Sequence, residues 1–234
     1  MRLLAICLAV AVGLGCADGD TDVEADQPVA DTAGEWVTLF DGTSLDAWRG
    51  FGQEVVPASW TIEDSVMTFT PREGGGGDLM TRDQFENFEF ELEWRISPAG
   101  NSGIIYRATE EFGAPWMTGP EYQLLDNDAH PDAENGPDRM AGANYDMQPT
   151  DPEAVRPVGE WNQTRIVADG HHVEHWLNGV KVAEYELYSE AWETMVDGSK
   201  WADYPEYGRR LSGHIALQDH GDPVFFRNVR IRSL

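Results

Sequence analysis

The stretch Phe88-Glu-Phe-Glu-Leu-Glu-Trp-Arg-Ile96 shows the most regular alternation in the chain. Apolar side chains occupy every second position from Phe88 to Ile96, and charged side chains occupy the positions between them. Because successive side chains of a β-strand point to opposite faces of the sheet, this pattern predicts a strand with one face buried and the other in solvent. Strands of this one-sided kind are typical of antiparallel sheets.

Other short apolar segments flank this stretch and are separated by turn signals. They fall within residues 36–40, 60–69, 104–107, 121–126, 161–185 and 213–234. Asn178-Gly179 joins two of them and is a strong hairpin signal. Only residues 187–197 favour a helix. Many short strands with almost no helix predict an all-β fold, a jelly-roll sandwich of two antiparallel sheets with at most one or two short helices.

The N-terminal residues indicate a targeting segment followed by a tether. Residues 1–16 combine Arg2 with a short apolar run and end in Leu14-Gly15-Cys16, which resembles the bacterial lipobox in which the cysteine is lipidated. Residues 17–35 are acidic and lack aromatic side chains, which predicts a disordered tether. We therefore expect a domain at residues 36–234, lipid-anchored in the bacterial cell envelope on its periplasmic or extracellular face. An ordinary secretory signal cleaved nearby is the alternative.

The chain is strongly acidic, with a formal net charge of −26. Nucleic-acid phosphates would be repelled, so no nucleic-acid partner is expected. The charge also disfavours docking on an anionic membrane, which leaves the N-terminal lipid as the expected membrane contact. An acidic protein rich in aromatic side chains, with nine tryptophans, suits a neutral ligand such as a sugar.

The stretch Gly213-His-Ile-Ala-Leu-Gln-Asp-His-Gly221 and the apolar segment after it predict two consecutive strands joined by a turn. With a strand period of two, Gln218 and His220 are expected on one face, about 7 Å apart along the strand. A proton-transfer group beside a hydrogen-bonding amide predicts part of a pocket.

Several short motifs follow one another in a fixed order along the chain. They are Val37-Thr-Leu-Phe-Asp-Gly42, Asn87-Phe-Glu-Phe90, Gly100-Asn-Ser-Gly103, Glu121-Tyr-Gln-Leu-Leu-Asp126, Gly159-Glu-Trp-Asn162, Leu177-Asn-Gly179 and Gly213 to Asn228. In these motifs the chain resembles the 3-keto-disaccharide hydrolase domain family, and the resemblance covers residues 36–234. Each motif alone is weak, but their shared order makes the signal specific.

The resemblance implies a concanavalin A-like jelly roll and an enzyme that cleaves glycosides whose sugar is oxidised at C3. The expected partner is a small carbohydrate substrate. Some relatives are described as lyases that need a divalent metal, so the resemblance leaves the cofactor unknown and a divalent metal possible. Many members of the family have no assigned substrate.

The chemistry of a C3 ketone defines what such a site needs. The carbonyl acidifies the C2 proton, and removal of that proton lets the C1–O bond break by elimination. Water can then add to the product, which gives net hydrolysis. The site therefore needs a base near C2, an acid near the glycosidic oxygen and an electropositive group at the C3 oxygen, a role that a metal could also serve.

Four residues, most of them in these motifs, match these roles. Glu121 is the candidate base, with Gln123 on its own strand face; a structural ion pair is the alternative. His220 is the candidate acid or a metal ligand, and the alternative is a histidine that caps the following turn. Arg107 and Gln218 are expected to hold the sugar hydroxyls or the ketone oxygen. For these two the alternatives are a buried arginine–carboxylate pair and a satisfied core amide.

Aromatic side chains in the loops are further substrate-binding candidates. Tyr145, Trp116 and Trp201 could stack on a sugar ring, although an aromatic side chain in a loop more often serves loop packing. Arg227 is interpreted as structural, neutralising a buried carboxylate from a core strand.

Metal signals in the sequence are weak. The loop after residue 121 offers oxygen and imidazole ligands that a turn could bring together: Asp126, Asp128 and His130. The same residues are also typical of solvated turns. His171, His172 and His175 are separated by strand spacing and are interpreted as surface residues.

Two other functions remain open from the sequence. Glu89, Glu91 and Glu93 share one strand face with about 7 Å between neighbours, which resembles the carboxylates of a conventional two-carboxylate jelly-roll glycosidase. The alternative is the solvated face of an antiparallel strand. The third possibility is a non-catalytic carbohydrate-binding module.

Overall fold

The computed structural model describes residues 33–234. The predictions for the signal segment at residues 1–16, for lipidation of Cys16 and for nearly all of the tether lie outside the described residues. Within residues 33–234, no helix is long and apolar enough to cross a membrane.

Two antiparallel β-sheets form the domain. The strands, in chain order, are β1 (Val37–Phe40), β2 (Trp48–Gly50), β3 (Trp60–Glu63), β4 (Val66–Phe69), β5 (Leu79–Thr81), β6 (Phe88–Ile96), β7 (Asn101–Ala108), β8 (Glu121–Leu125), β9 (Asn162–Asp169), β10 (His172–Leu177), β11 (Val180–Glu186), β12 (His214–Leu217) and β13 (Val224–Ser233). The larger sheet has the order β11-β10-β9-β6-β13-β4-β3, with β1 also paired to β13. The smaller sheet has the order β2-β5-β12-β7-β8. This arrangement confirms the predicted jelly-roll sandwich.

Strand β6 lies at the centre of the larger sheet, as its alternating sequence requires. It pairs with β13 on one side and β9 on the other. Its five apolar side chains are all buried, whereas Glu91, Glu93 and Arg95 on the opposite face are partly exposed. The buried face packs against Ile104 and the other inward side chains of the smaller sheet. Burial of each large apolar side chain contributes about 1.5–3 kcal/mol, so this interface is the main source of stability.

Local sequence signals explain the hairpin and the helix. Asn178 and Gly179 both have positive φ, 51° and 84°, which is the backbone that a tight turn between β10 and β11 requires. The α-helix α1 (Glu190–Asp197) begins where the Ser189 hydroxyl accepts a hydrogen bond from the Trp192 N–H. Trp192 and Val196 are its buried residues, four positions apart on one face.

The predicted strand at residues 213–221 is shorter than expected. Strand β12 ends at Leu217, so Gln218 and His220 lie in the connection to β13 rather than on a strand. This connection crosses between the sheets, because β12 belongs to the smaller sheet and β13 to the larger one. Tertiary hydrogen bonds hold it: the Gln218 N–H donates to the Gly103 carbonyl and the Asp219 N–H to the Asp78 carboxylate.

The long segment at residues 127–156 covers the free edge of β8. It contains three short 3-10 helices, Pro131–Asn135, Pro137–Arg139 and Pro152–Ala154. The Tyr145 N–H donates to the Glu121 carbonyl, and the Gln123 N–H donates to the Ala143 carbonyl. These bonds satisfy backbone groups that an edge strand would otherwise expose.

Candidate active site

A cavity of about 260 Å³ lies beside the ends of β8 and β12. Its lining residues are Trp116, Glu121, Lys200, Tyr204, Gln218 and His220. The structure thus brings together three residues that the sequence singled out for one pocket, from segments about a hundred positions apart. Trp116 and Tyr204 form an aromatic wall, with ring centroids 5.2 Å apart.

The position of Glu121 follows from the pleat of β8. Tyr122 and Leu124 point into the core between the sheets, so Glu121 and Gln123 point to the opposite face. Gly103 on the neighbouring strand makes room for the carboxylate, because a Cβ at that position would lie 2.3 Å from Glu121 Oε1. The absence of a side chain at Gly103 therefore sets where the carboxylate rests.

Glu121 is a buried carboxyl group without a partner. It is 3% exposed, and within residues 33–234 no hydrogen bond or ion pair reaches its carboxylate. Burial raises the pKa of Glu121 to about 7, while Lys200 acts in the opposite direction and the negative charges of Asp78 and Asp132 add to the rise. A carboxyl group with this pKa can exchange a proton with a substrate near neutral pH.

Lys200 is a pocket residue that the sequence reasoning missed. Its ammonium group lies 4.1 Å from the ring centroid of Tyr145 and 4.3 Å from that of Trp201. Although the residue is exposed, the protein atoms packed around it lower the pKa of Lys200, and the charge of Glu121 opposes that shift. The sequence contains only two lysines, Lys181 and Lys200, and this low number was the one signal that could have singled out Lys200 as a candidate.

Gln218 and His220 are positioned by the connection that carries them. The Ser102 hydroxyl donates a hydrogen bond to the Gln218 carbonyl. The side-chain oxygen of Gln218 is buried and has no hydrogen-bond partner in the described part of the chain, so it is available to a ligand. The His220 ring faces that of His130 at 6.3 Å between centroids.

Arg107 does not reach the cavity. The structure places a β-bulge opposite β12 at this point, and Arg107 takes a positive φ of 55°. Its guanidinium is fully buried and donates two hydrogen bonds to the Glu86 carbonyl. The structure therefore does not bring Arg107 to the cavity at Glu121, because the bulge turns its side chain away from the face that carries Glu121.

Three further candidates surround the cavity without lining it. Gln123 is buried, and its side-chain oxygen accepts a hydrogen bond from the Leu124 N–H. The Tyr145 hydroxyl donates to Asp132, and the indole of Trp201 is buried and donates to the Tyr145 carbonyl. The rings of Tyr145 and Trp201 both contact the ammonium group of Lys200.

The weak metal candidates form turns of their own. The Asp126 carboxylate accepts hydrogen bonds from the N–H groups of Ala99 and Asp128. His130 accepts one from the Asp132 N–H and caps a 3-10 helix. These contacts use the Asp126 carboxylate and one ring nitrogen of His130 in local structure, and within residues 33–234 none of the three residues belongs to a cluster with metal-ligand spacing.

One cluster in the described residues has the spacing of metal ligands. His172, Glu174 and Glu184 place ligand atoms within 4.8 Å of one another. They lie on the larger sheet, and Lys181 already pairs with both carboxylates. Of the residues that line the cavity, Glu121 and His220 offer a carboxylate and an imidazole, and no third such group completes a cluster there among the described residues.

His175 corrects the interpretation of the histidines as surface residues. It is fully buried, with its ring nitrogens 2.9 Å from the Tyr106 hydroxyl oxygen and 3.1 Å from the Gly142 carbonyl oxygen. Burial lowers the pKa of His175 to about 4, so the ring is neutral at pH 7. Strand alternation carries it inward, whereas His172 on the opposite face is partly exposed.

The carboxylates of β6 are all neutralised by arginine. Glu89 pairs with Arg165 and Arg232, and Glu91 pairs with Arg230. Glu93 pairs with Arg227 at 2.5 Å on a partly exposed face, so the expectation that Arg227 neutralises a buried carboxylate is wrong. A larger cavity of about 420 Å³ lies beside Glu91 and Glu93. Because both carboxylates there are already bound, the smaller cavity at Glu121 is better suited to acid–base chemistry.

Comparison with known proteins identifies the family of this chain. Residues 35–232 match the family described as the 3-keto-alpha-glucoside-1,2-lyase-like domain. A 3-keto-disaccharide hydrolase from Bacteroides thetaiotaomicron is 39% identical over 227 residues, which cover 85% of this chain and 78% of that protein.

Solved structures share the same architecture. A crystal structure of a "putative glycosyl hydrolase" from Parabacteroides distasonis superposes with a TM-score of 0.79 at 35% identity, covering 86% of this chain and 94% of the other. A Bacillus subtilis protein with a galectin-like fold superposes with a TM-score of 0.52 at 10% identity, covering 86% and 96%. At this low identity the second match supports the fold alone.

Proposed function

The chain belongs to the 3-keto-alpha-glucoside-1,2-lyase-like domain family, and we propose that it cleaves small glycosides whose sugar carries a ketone at C3. The observation that carries this proposal is the buried, unpaired Glu121 in a cavity with an imidazole, an amide and an aromatic wall. The related hydrolase from Bacteroides thetaiotaomicron and the glycosyl hydrolase neighbour support glycoside cleavage as the activity.

Glu121 is the proposed base. Its carboxylate removes the C2 proton, and the electron pair of the C–H bond moves toward the C3 carbonyl to give an enolate. A base with a pKa of about 7 retains enough driving force for this step while being substantially ionised at neutral pH. The unpaired Gln218 amide and the Trp116 ring face hold the sugar in place.

His220 is the proposed acid. When the enolate re-forms the ketone, a C1–C2 double bond forms and the C1–O bond breaks, and the imidazolium of His220 donates its proton to the departing oxygen. Water then adds to C1, the neutral imidazole takes a proton from it, and Glu121 returns its proton to C2. The sum is hydrolysis, and release before water addition would make the chain a lyase.

The proposed location follows from the N-terminal sequence. We infer that Cys16 carries the lipid and that the domain acts at the cell envelope, where small glycosides arrive from outside. Fractionation of cells that express Cys16→Ala checks this: the variant is expected in the soluble fraction and the unchanged chain in the membrane fraction. A membrane-bound Cys16→Ala would contradict lipid anchoring at this position.

The decisive assay compares 3-keto disaccharides with the parent sugars. We expect the full-length protein to cleave 3-keto-trehalose or 3-keto-lactose and to leave trehalose and lactose intact. Mass spectrometry separates the two outcomes, because the hydrolysis product contains one water more than the elimination product. Protein treated with EDTA, with and without added Mg²⁺, Mn²⁺ or Zn²⁺, gives the metal dependence in the same assay. Binding of these sugars without cleavage would indicate a carbohydrate-binding module instead.

A further inference from the structure

The proposed reaction needs an electropositive group at the C3 oxygen, and the residue predicted from the sequence, Arg107, points elsewhere. We propose that Lys200 holds the C3 ketone oxygen of the substrate and stabilises the negative charge that develops there as the C2 proton leaves. This inference rests on the proposed function and assigns a catalytic residue to the same cavity.

Among the described residues that line the cavity, Lys200 is the one lysine or arginine. Other basic groups nearby are already engaged. Arg139 pairs with Asp132 and Asp146, and Arg210 pairs with Glu111 and Glu206. In residues 33–234 the ammonium group of Lys200 forms no hydrogen bond or ion pair, so its N–H donors are available to a ligand.

Two aromatic rings hold the ammonium group in place. The faces of Tyr145 and Trp201 attract it electrostatically without accepting its protons in conventional hydrogen bonds. Both rings are fixed, since the Tyr145 hydroxyl donates to the Asp132 carboxylate and the indole of Trp201 donates to the Tyr145 carbonyl. The backbone N–H of Lys200 donates to the Asp146 carboxylate, which holds the start of this segment. A cation positioned in advance loses little freedom when charge appears on the substrate.

The charges around Lys200 favour its protonated form. The protein atoms packed around Lys200 displace water and lower the pKa of its ammonium group, and the guanidinium of Arg139 lowers it further, whereas Glu121, Asp146 and Asp132 raise it. When Glu121 accepts the C2 proton, its own negative charge disappears. The negative charge near Lys200 then lies on the C3 oxygen of the substrate instead of on Glu121. The ammonium group therefore stabilises the new oxyanion.

The step balances without an added reactant. The C2–H bond breaks, its proton forms an O–H bond on Glu121, and its electron pair forms the C2–C3 double bond while the carbonyl pair moves onto the C3 oxygen. Lys200 stays an ammonium ion throughout and donates a hydrogen bond to that oxygen. No bond forms between the Lys200 nitrogen and the sugar.

The test uses Lys200→Met, which removes the charge with little change in length, and Lys200→Arg, which retains the charge. Lys181→Met is the matched control, because it changes the other lysine, on the larger sheet and outside the cavity. Steady-state rates are measured on a 3-keto disaccharide with hydrogen or deuterium at C2. We expect Lys200→Met to lower kcat about 100-fold with little change in KM and to increase the C2 isotope effect. Lys200→Arg should recover part of kcat, and Lys181→Met should match the unchanged protein.

Three results would overturn the inference. In the first, Lys200→Met keeps the kcat of the unchanged protein. In the second, only KM rises, which would indicate ground-state binding. In the third, borohydride traps the sugar on Lys200, which would show a covalent imine in place of the ammonium contact. Inactivity of the unchanged protein on every 3-keto glycoside would instead remove the proposed function, and this inference with it.

Discussion

The outer faces of the two sheets carry carboxylates in opposite electrostatic situations. On the larger sheet, Glu91 and Glu93 each meet an arginine of β13 across the strand pair. Beside the smaller sheet, Glu121 is buried with no ion pair among the described residues. The arginines keep Glu91 and Glu93 in their charged form. Glu121 has no such partner, so its carboxyl group can exchange a proton near neutral pH.

The comparison shows why the number of acidic residues on a strand is a poor guide to chemistry. Three glutamates on β6 resemble a catalytic set in the sequence, yet arginines from β9 and β13 neutralise all of them. The partly exposed pairs of Glu91 and Glu93 contribute about 0–1 kcal/mol each. The pKa of Glu121, the single glutamate of β8, is raised because its carboxyl group lacks a partner and is buried away from water.

The strongest test of the comparison exchanges one carboxylate from each face for an amide. Glu121→Gln should lower kcat about 1,000-fold on a 3-keto disaccharide, because removal of a general base typically costs about 10²–10⁴-fold. Glu91→Gln should leave kcat within about twofold, since its carboxylate only pairs with Arg230. The reverse result would favour the conventional two-carboxylate glycosidase. Circular dichroism of both variants confirms that each is folded.

The second test uses the pH dependence of stability. Folding raises the pKa of Glu121 from 4.5 to about 7, so the stability tied to its protonated form is full below 4.5 and is lost as the pH rises through 7. Glu121→Gln removes this loss. We expect the variant to exceed the unchanged protein by up to about 3 kcal/mol of unfolding free energy at about pH 9, and the difference to vanish near pH 4.

Urea denaturation at the two pH values measures this difference, with Glu91→Gln as the control. A gain of equal size at both pH values would show that Glu121 is not a buried group with a raised pKa. The result does not depend on any substrate, so it examines the geometry of the cavity separately from its proposed chemistry.

The third test moves the carboxylate without removing it. A Cβ at residue 103 would lie 2.3 Å from Glu121 Oε1, so Gly103→Ala must displace the side chain. A shift of about 1 Å from the productive position is expected to lower kcat about 100-fold. Gly179→Ala is not a suitable control, because Gly179 has a positive φ. Gly113→Ala is better, since no heavy atom lies within 4 Å of its added Cβ. Full activity of Gly103→Ala would contradict the assigned position of Glu121.

The smallest expected effect lies in the arginine pairs. Glu93→Gln breaks the contact with Arg227, whose guanidinium also stacks on the Trp161 ring at 4.1 Å. Because both partners are partly exposed, the loss of unfolding free energy should be about 0–1 kcal/mol. Thermal unfolding at low and high salt checks this. A loss of unfolding free energy well above this range would mean that the ion pairs between β6 and the arginines of β9 and β13 act as a cooperative network.

Side-chain alternation and turn residues predicted the strands more reliably than the positions of the site residues. The alternation of residues 88–96 and the turn at Asn178-Gly179 appear in the structure as expected. Each depends on side chains or backbone angles within a few residues. The pairing of Glu121 with His220 in one cavity was also expected, but from the resemblance to a family together with the motif order, and not from spacing.

Two positions differ from expectation for different physical reasons. Arg107 was expected at the substrate because its strand brings a cation to the edge of the sheet, and a β-bulge with positive φ directs its guanidinium to the Glu86 carbonyl instead. A bulge depends on the neighbouring strand, so it cannot be read from one segment alone. His175 was expected on the surface, but it shares the buried face of β10 with Val173 and Leu177, as strand alternation requires.

The amino-acid sequence by itself determined the β-sandwich, because alternation, turn residues and core composition act over short distances along the chain. Only the tertiary structure decided that Lys200 meets Glu121, since the two lie 79 positions apart and come together through the packing of a 3-10 helix, Lys200–Asp203, against the covered edge of β8. The unpaired state of Glu121 was decided there as well. It depends on which charges the fold leaves without partners, and that is a property of the assembled sheets.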